Sequence, residues 1–138
     1  MNPNFPSVHL ELGFVYFANS LYNEALEEFE KERDVLKRFD SRVECWIGIS
    51  CANLKKIEMA QEVIHELTKQ SELKFVSPIF IAKLYFDLGE RDLYLKNLDT
   101  AYRERDINIR MIKTDPAFDN MRSDPAFKEL IEKVFSEK

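Results

Sequence analysis

Residues 12–29 read LGFVYFANSLYNEALEEF, and the chain writes a matching pattern twice more, as IGISCANLKKIEMAQEVI at 47–64 and IAKLYFDLGERDLYLKNL at 81–98. Leu12, Gly13, Tyr16, Tyr22, Ala25 and Phe29 are followed 35 residues later by Ile47, Gly48, Cys51, Ile57, Ala60 and Ile64. Another 34 residues on stand Ile81, Ala82, Tyr85, Arg91, Tyr94 and Leu98. Self-similarity at such a period marks stacked supersecondary units. The small residue early in each copy (Gly13, Gly48, Ala82) lets a neighbouring helix backbone come close. The residue three further on (Tyr16, Cys51, Tyr85) lies on nearly the same face, one turn along. In the second half of the copy, Ala25 and Ala60 take the close crossing while Phe29, Ile64 and Leu98 fill the space beside it. Tyr94 breaks that rule, so the third crossing is expected to be wider or locally repacked. Three antiparallel helical hairpins, side by side, are the expectation.

Outward from the repeats, the punctuation is helical. With 3 Gly, many Glu, Lys, Leu and Ala, and no strict period-two alternation, nothing competes with an all-α chain. Asp40-Ser41 followed by Glu44 has capping-box spacing and starts a helix near Ser41. Ser77-Pro78 and Asp124-Pro125 each set a side-chain oxygen before a proline, as at an N-cap followed by the first helical position. Leu88-Gly89 reads as a helix stop.

The chain has 138 residues, 45% of them hydrophobic, enough for one globular unit without staples. Lys and Arg total 20 against 25 Asp and Glu, and the formal net charge of -5 has the wrong sign for a phosphate backbone. No nucleic-acid partner is expected. No apolar run approaches the roughly 20 residues that span a bilayer. Met1-Asn2-Pro3-Asn4 lacks the basic start of a signal peptide, so no membrane partner and a cytoplasmic location are expected. Cys45 and Cys51 sit about 9 Å apart along a helix axis, beyond a disulfide's span, and read as two half-buried thiols. Neither His9 nor His65 has ligand spacing to them. With no Gly-rich phosphate loop, no nucleophile-base signature and two His, the sequence offers no enzyme, metal or cofactor reading.

These repeat residues (Leu12-Gly13, Tyr16, Ala25, Phe29; Ile47-Gly48, Ala60, Ile64; Ile81-Ala82, Tyr85, Leu98, Ala101) resemble a tetratricopeptide repeat protein over about 6–106. The resemblance implies a right-handed α-solenoid of three hairpins at about 6–39, 40–73 and 74–106, in a single domain closed by a cap at 107–138. The third copy and the tail, with Asp115-Pro116-Ala117-Phe118 and Asp124-Pro125-Ala126-Phe127, are similar to the closing region of repeat domains in bacterial signalling proteins. There such domains accompany cyclases, kinases or winged-helix regulators. That similarity implies a bacterial interaction module, either an adaptor or a regulatory subunit of a separate enzyme. In the paired motif each Asp is expected to cap a short helix and each Phe to fold back onto the repeats, shielding their apolar end. A final helix is expected from about Pro125 to Phe135.

In this fold the first helices of successive copies line a concave face. The candidate partner-binding residues there are Leu10, Phe14 and Phe17, then Trp46, Ile49 and Asn53, then Phe80, Lys83 and Phe86. The positions that grip a carboxylate in chaperone-binding tetratricopeptide domains correspond to Leu10, Phe14, Trp46, Val76 and Phe80, none of which can donate to one. The aromatic set instead suits an apolar or amphipathic peptide or helix, or forms core. Leftover apolar surface also makes a homodimer reasonable, since three repeats are near the minimum for a stable array. Glu24, Glu27, Glu28, Glu30, Lys31, Glu32 and Arg33 are expected on a solvated outer face, with Glu27 and Lys31 as a favourable pair. Arg103, Arg105 and Arg110 form a basic spot that Glu104 and Asp106 interleave.

Overall fold

A computed structural model describes residues 8–70 and 76–136, and all regular structure among them is helical. The α-helices are α1 (Val8–Ala18), α2 (Tyr22–Leu36), α3 (Ser41–Asn53), α4 (Ile57–Gln70), α5 (Pro78–Leu88), α6 (Arg91–Arg103) and α7 (Pro125–Ser136). Two 3-10 turns, Ile107–Met111 and Pro116–Met121, lie between α6 and α7. The expected repeat boundaries near 6 and 73–74 fall outside the described residues. Among the described residues no helix is long and apolar enough to cross a membrane.

The chain divides into two compact units, Met1–Val76 and Ser77–Lys138. In the first, α2 packs against both α1 and α3, and α3 against α4. In the second, α5 packs against α6 and the second 3-10 turn, and α6 against α7.

The repeat register appears in the backbone. The second helix of each pair begins at Tyr22, Ile57 and Arg91, the same 35- and 34-residue steps. Each pair turns through one residue in the left-handed region: Ser20 at φ 61°, Lys55 at φ 64° and Gly89 at φ 79°. Each turn closes with one hydrogen bond across five residues. Leu21 N–H donates to Tyr16 C=O (2.9 Å), Lys56 to Cys51 (2.8 Å) and Glu90 to Tyr85 (2.9 Å), satisfying a carbonyl at the end of the first helix.

The small-residue rule also holds where it can be measured. A Cβ on Gly13 would stand 2.3 Å from Cε1 of Phe29, a buried ring directly over that position. Ala25, Ala60, Ala82 and Ala101 are fully buried. The exception is resolved by repacking. Tyr94 is also fully buried, its ring 5.0 Å from that of Phe86 and its hydroxyl donating to Asp124 (2.9 Å).

The caps are more networked than their spacing indicated. Asp40, rather than Ser41, is the N-cap of α3 and accepts from Arg42 N–H (3.0 Å) and Val43 N–H (3.2 Å). Glu44 closes no capping box, because its carboxylate holds the Arg33 guanidinium through two hydrogen bonds of 2.9 and 2.8 Å. A charge-assisted fork outcompetes a single backbone donor. Ser77 precedes α5 as expected, but its hydroxyl donates to Asp106 (2.6 Å), and that carboxylate also takes the Ile79 N–H (3.0 Å). Asp115 and Asp124 cap as expected, accepting from Ala117 N–H (2.9 Å) and Phe127 N–H (3.3 Å). The first opens a 3-10 turn and the second opens α7. Phe118 and Phe127, both fully buried, stack 6.2 Å apart within the second unit.

The acidic stretch of α2 is not wholly a solvated face. Glu28 and Glu32 are buried, because a helix flanked by neighbours on two sides turns part of its polar arc inward. Glu28 pairs with His9 Nδ1 (3.1 Å) and with Lys31 (3.5 Å), taking the lysine expected to meet Glu27. Cys45 and Cys51 form no disulfide and are buried, not half-buried, and burial pushes the Cys51 thiol up.

Candidate functional site

Two candidate residues of the first unit, Phe14 and Phe17, meet at Trp46. From α3 its indole reaches the rings of Phe14 (5.1 Å) and Phe17 (5.4 Å) on α1 and Phe29 (6.3 Å) on α2. Phe14 and Phe29 touch edge-on at 5.6 Å, and Phe17 meets Tyr22 at 5.1 Å. Edge-to-face arrangements at these separations are the favoured geometry of aromatic pairs. The cluster is core: Trp46 is 1% exposed, and Leu10, Phe17 and Ile49 are also buried. A side chain as long as Trp46 spans from α3 to both helices of the preceding pair and fills their junction. Phe14 and Asn53 keep partial exposure. Over the Phe14 ring lies the Arg42 guanidinium, 5.3 Å from its centroid, and Asn53 donates its side-chain amide to Ile49 C=O (2.8 Å).

In the second unit, Phe80 and Lys83 are buried and Phe86 is half-buried. Lys83 turns inward. Its ammonium contacts Asp87 (2.9 Å) and Asn120 (2.9 Å), with the lysine and aspartate side chains 2% and 1% exposed. The Asn120 amide donates back to Asp87 (2.9 Å) and closes the set. Burial holds the Lys83 ammonium below its ordinary value, against the opposing pull of Asp87. Spacing identifies Lys83 and Asp87 as one helical turn apart but cannot supply Asn120, 37 residues away.

A second polar centre sits at Asp124, whose side chain is 10% exposed. It accepts from Arg91 (2.7 Å), the Tyr94 hydroxyl and Phe127 N–H. Burial works to raise this carboxyl, but the three donors outweigh it and hold it below the ordinary carboxylate value. Burial, and then Asp124, push the Tyr94 phenol up. Among the described residues, no group of three or more His, Cys, Asp or Glu side chains is placed to hold a metal ion.

Comparison with protein-family models, with curated proteins and with solved structures found no match.

Proposed function

We propose that this chain is a non-catalytic protein-binding module, an adaptor or scaffold of tetratricopeptide type. Its helix pairs would form a right-handed solenoid whose first helices receive a peptide or helix from a partner protein. The observation that carries this reading is the recurrence of one turn, with the same left-handed residue and the same closing hydrogen bond, at Ser20, Lys55 and Gly89. Quasi-identical helix pairs hold themselves together through repeated packing positions, which leaves other positions of the first helices free to recognise a ligand.

The burial of Trp46, Phe17 and Ile49 narrows the site. Of the candidate residues on α1 and α3, Phe14 and Asn53 keep partial exposure, and the Arg42 guanidinium lies over the Phe14 ring. A ring already held by Trp46 and Phe29 loses little freedom on binding, and the adjacent guanidinium suits a ligand that combines an apolar side chain with an acidic one.

The test is fluorescence anisotropy with a labelled amphipathic helical peptide bearing Leu and Glu, titrated with wild-type protein and with Phe14→Ser. Circular dichroism establishes that the variant is folded. The variant is expected to bind about tenfold more weakly, as for an interface anchor. Equal binding by the folded variant, or no binding by wild type, overturns Phe14 as the site. A wild-type dimer in sedimentation that Phe14→Ser dissociates would assign the ring to self-association instead.

A further inference from the structure

The basic spot of the sequence becomes a groove in the second unit. The groove has a volume of about 720 Å³ and is lined by Tyr102 and Arg103 at the end of α6, by Arg105, Ile107 and Arg110 along the following turn, and by Val134 of α7. In sequence, Glu104 and Asp106 interleave the arginines and mask them. In the structure Asp106 is 3% exposed and turned inward. One of its oxygens accepts from Ser77 and Ile79, and the other from the backbone and side chain of Asn108. The inward turn follows from the backbone. Arg105 lies at φ 52°, and Asp106 N–H closes back onto Ala101 C=O (3.0 Å), repeating the turn seen after α1, α3 and α5. Asp106 still borders the groove, but its lone pairs are committed to four donors. Glu104 is exposed and takes no part in the lining.

The cations around the groove are unevenly committed. Arg103 pairs with Asp99 (2.8 Å), one turn back on α6. Arg105 and Arg110 are exposed and have no ion-pair partner among the described residues. Ile107 stands between them in sequence and is 72% exposed, the highest value among the exposed large hydrophobic side chains. Lys133 lies over the Tyr102 ring at 5.6 Å but pairs with Glu129 (3.4 Å). Two uncommitted guanidiniums flanking an exposed isoleucine match a ligand with the opposite pattern.

We propose that this groove binds an acidic segment of a partner protein, with carboxylates meeting Arg105 and Arg110 and an apolar side chain between them covering Ile107. A guanidinium takes a carboxylate through two parallel hydrogen bonds, which gives such a surface orientation as well as charge. A nucleic-acid backbone fits less well, because its sugar-phosphate chain offers no apolar side chain to cover Ile107. This second surface goes beyond the reading of the first helices and does not depend on it.

The probe is a fluorescein-labelled peptide, Asp-Glu-Leu-Asp-Glu-Leu-Asp-Glu, followed by anisotropy against the full chain at low and moderate salt. Three comparison ligands are the same peptide with Ser for Leu, the same with Asn and Gln for its acids, and an oligouridylate of similar charge. The acidic Leu peptide is expected to bind, to weaken with salt, and to lose about tenfold in affinity in Arg105→Glu/Arg110→Glu and about fivefold in Ile107→Ser. These side chains are exposed, so the variants are expected to keep the wild-type melting curve. The proposal is overturned if no peptide binds, if the Ser peptide binds as tightly as the Leu peptide, or if the oligouridylate binds as tightly as either. Self-association abolished by Arg105→Glu, without peptide binding, would likewise overturn it and assign the groove to a second copy.

Discussion

Gly13 has no side chain because the Phe29 ring occupies the space a Cβ would need. That ring is held by Phe14 and Trp46 and cannot swing away, so Gly13→Ala forces overpacking and is expected to cost about 1–3 kcal/mol. Urea denaturation of Gly13→Ala, Phe29→Leu and the double variant checks the cause. The double variant should lose less than the sum of the singles, and simple additivity would remove the clash as the explanation. Asp124 acts at the same scale through charge. A carboxyl held below its ordinary value by Arg91, Tyr94 and Phe127 favours the folded state fully above the ordinary carboxylate pKa. This contribution is lost as pH falls through the lowered value. Asp124→Asn is therefore expected to destabilise by about 1–3 kcal/mol at pH 7 and by progressively less towards pH 3. Urea midpoints at the two pH values measure the difference, and a gap that stays constant would contradict the linkage.

The turns between paired helices share one geometry but use different residues. Gly89 adopts its positive φ freely, while Ser20 and Lys55 hold theirs against the steric preference of an L side chain. Lys55 is exposed, so removing its side chain changes little except the backbone. Lys55→Gly is expected to gain about 0.5–1 kcal/mol, and Gly89→Ala, where a Cβ meets nothing within 4 Å, to lose about 1 kcal/mol. Thermal melts of the two variants should move in opposite directions. If both fall, the left-handed turn is not what controls stability there.

Across the molecule, both units bury charge. The first gathers aromatic rings around Trp46 and also buries Glu28 and Glu32, while the second buries polar centres at Lys83, Asp106 and the Asp124 side chain. Helix positions were legible in the sequence because they follow from local physics. Apolar spacing sets which arc of a helix can be buried, and Gly89, Asp115 and Asp124 stop or start the chain through bonds spanning a few residues. The 35- and 34-residue steps were legible for the same reason, since each pair sets a small residue (Gly13, Gly48, Ala82) at the same position of its first helix. The site was less legible. Trp46 and Phe14 stand on candidate first-helix positions, yet one is core and the other half open, because Trp46 reaches across to α1 and α2. Glu28, Lys83 and Asp106 look like surface charges in sequence, and each is drawn inward by a partner 19, 37 or 29 residues away. By itself the sequence determined the helical periodicity, the turns and most caps, which depend on neighbours along the chain. Only the tertiary structure decided which charges are buried and which cations stay uncommitted, because burial and pairing depend on groups distant in sequence that folding brings within hydrogen-bond range.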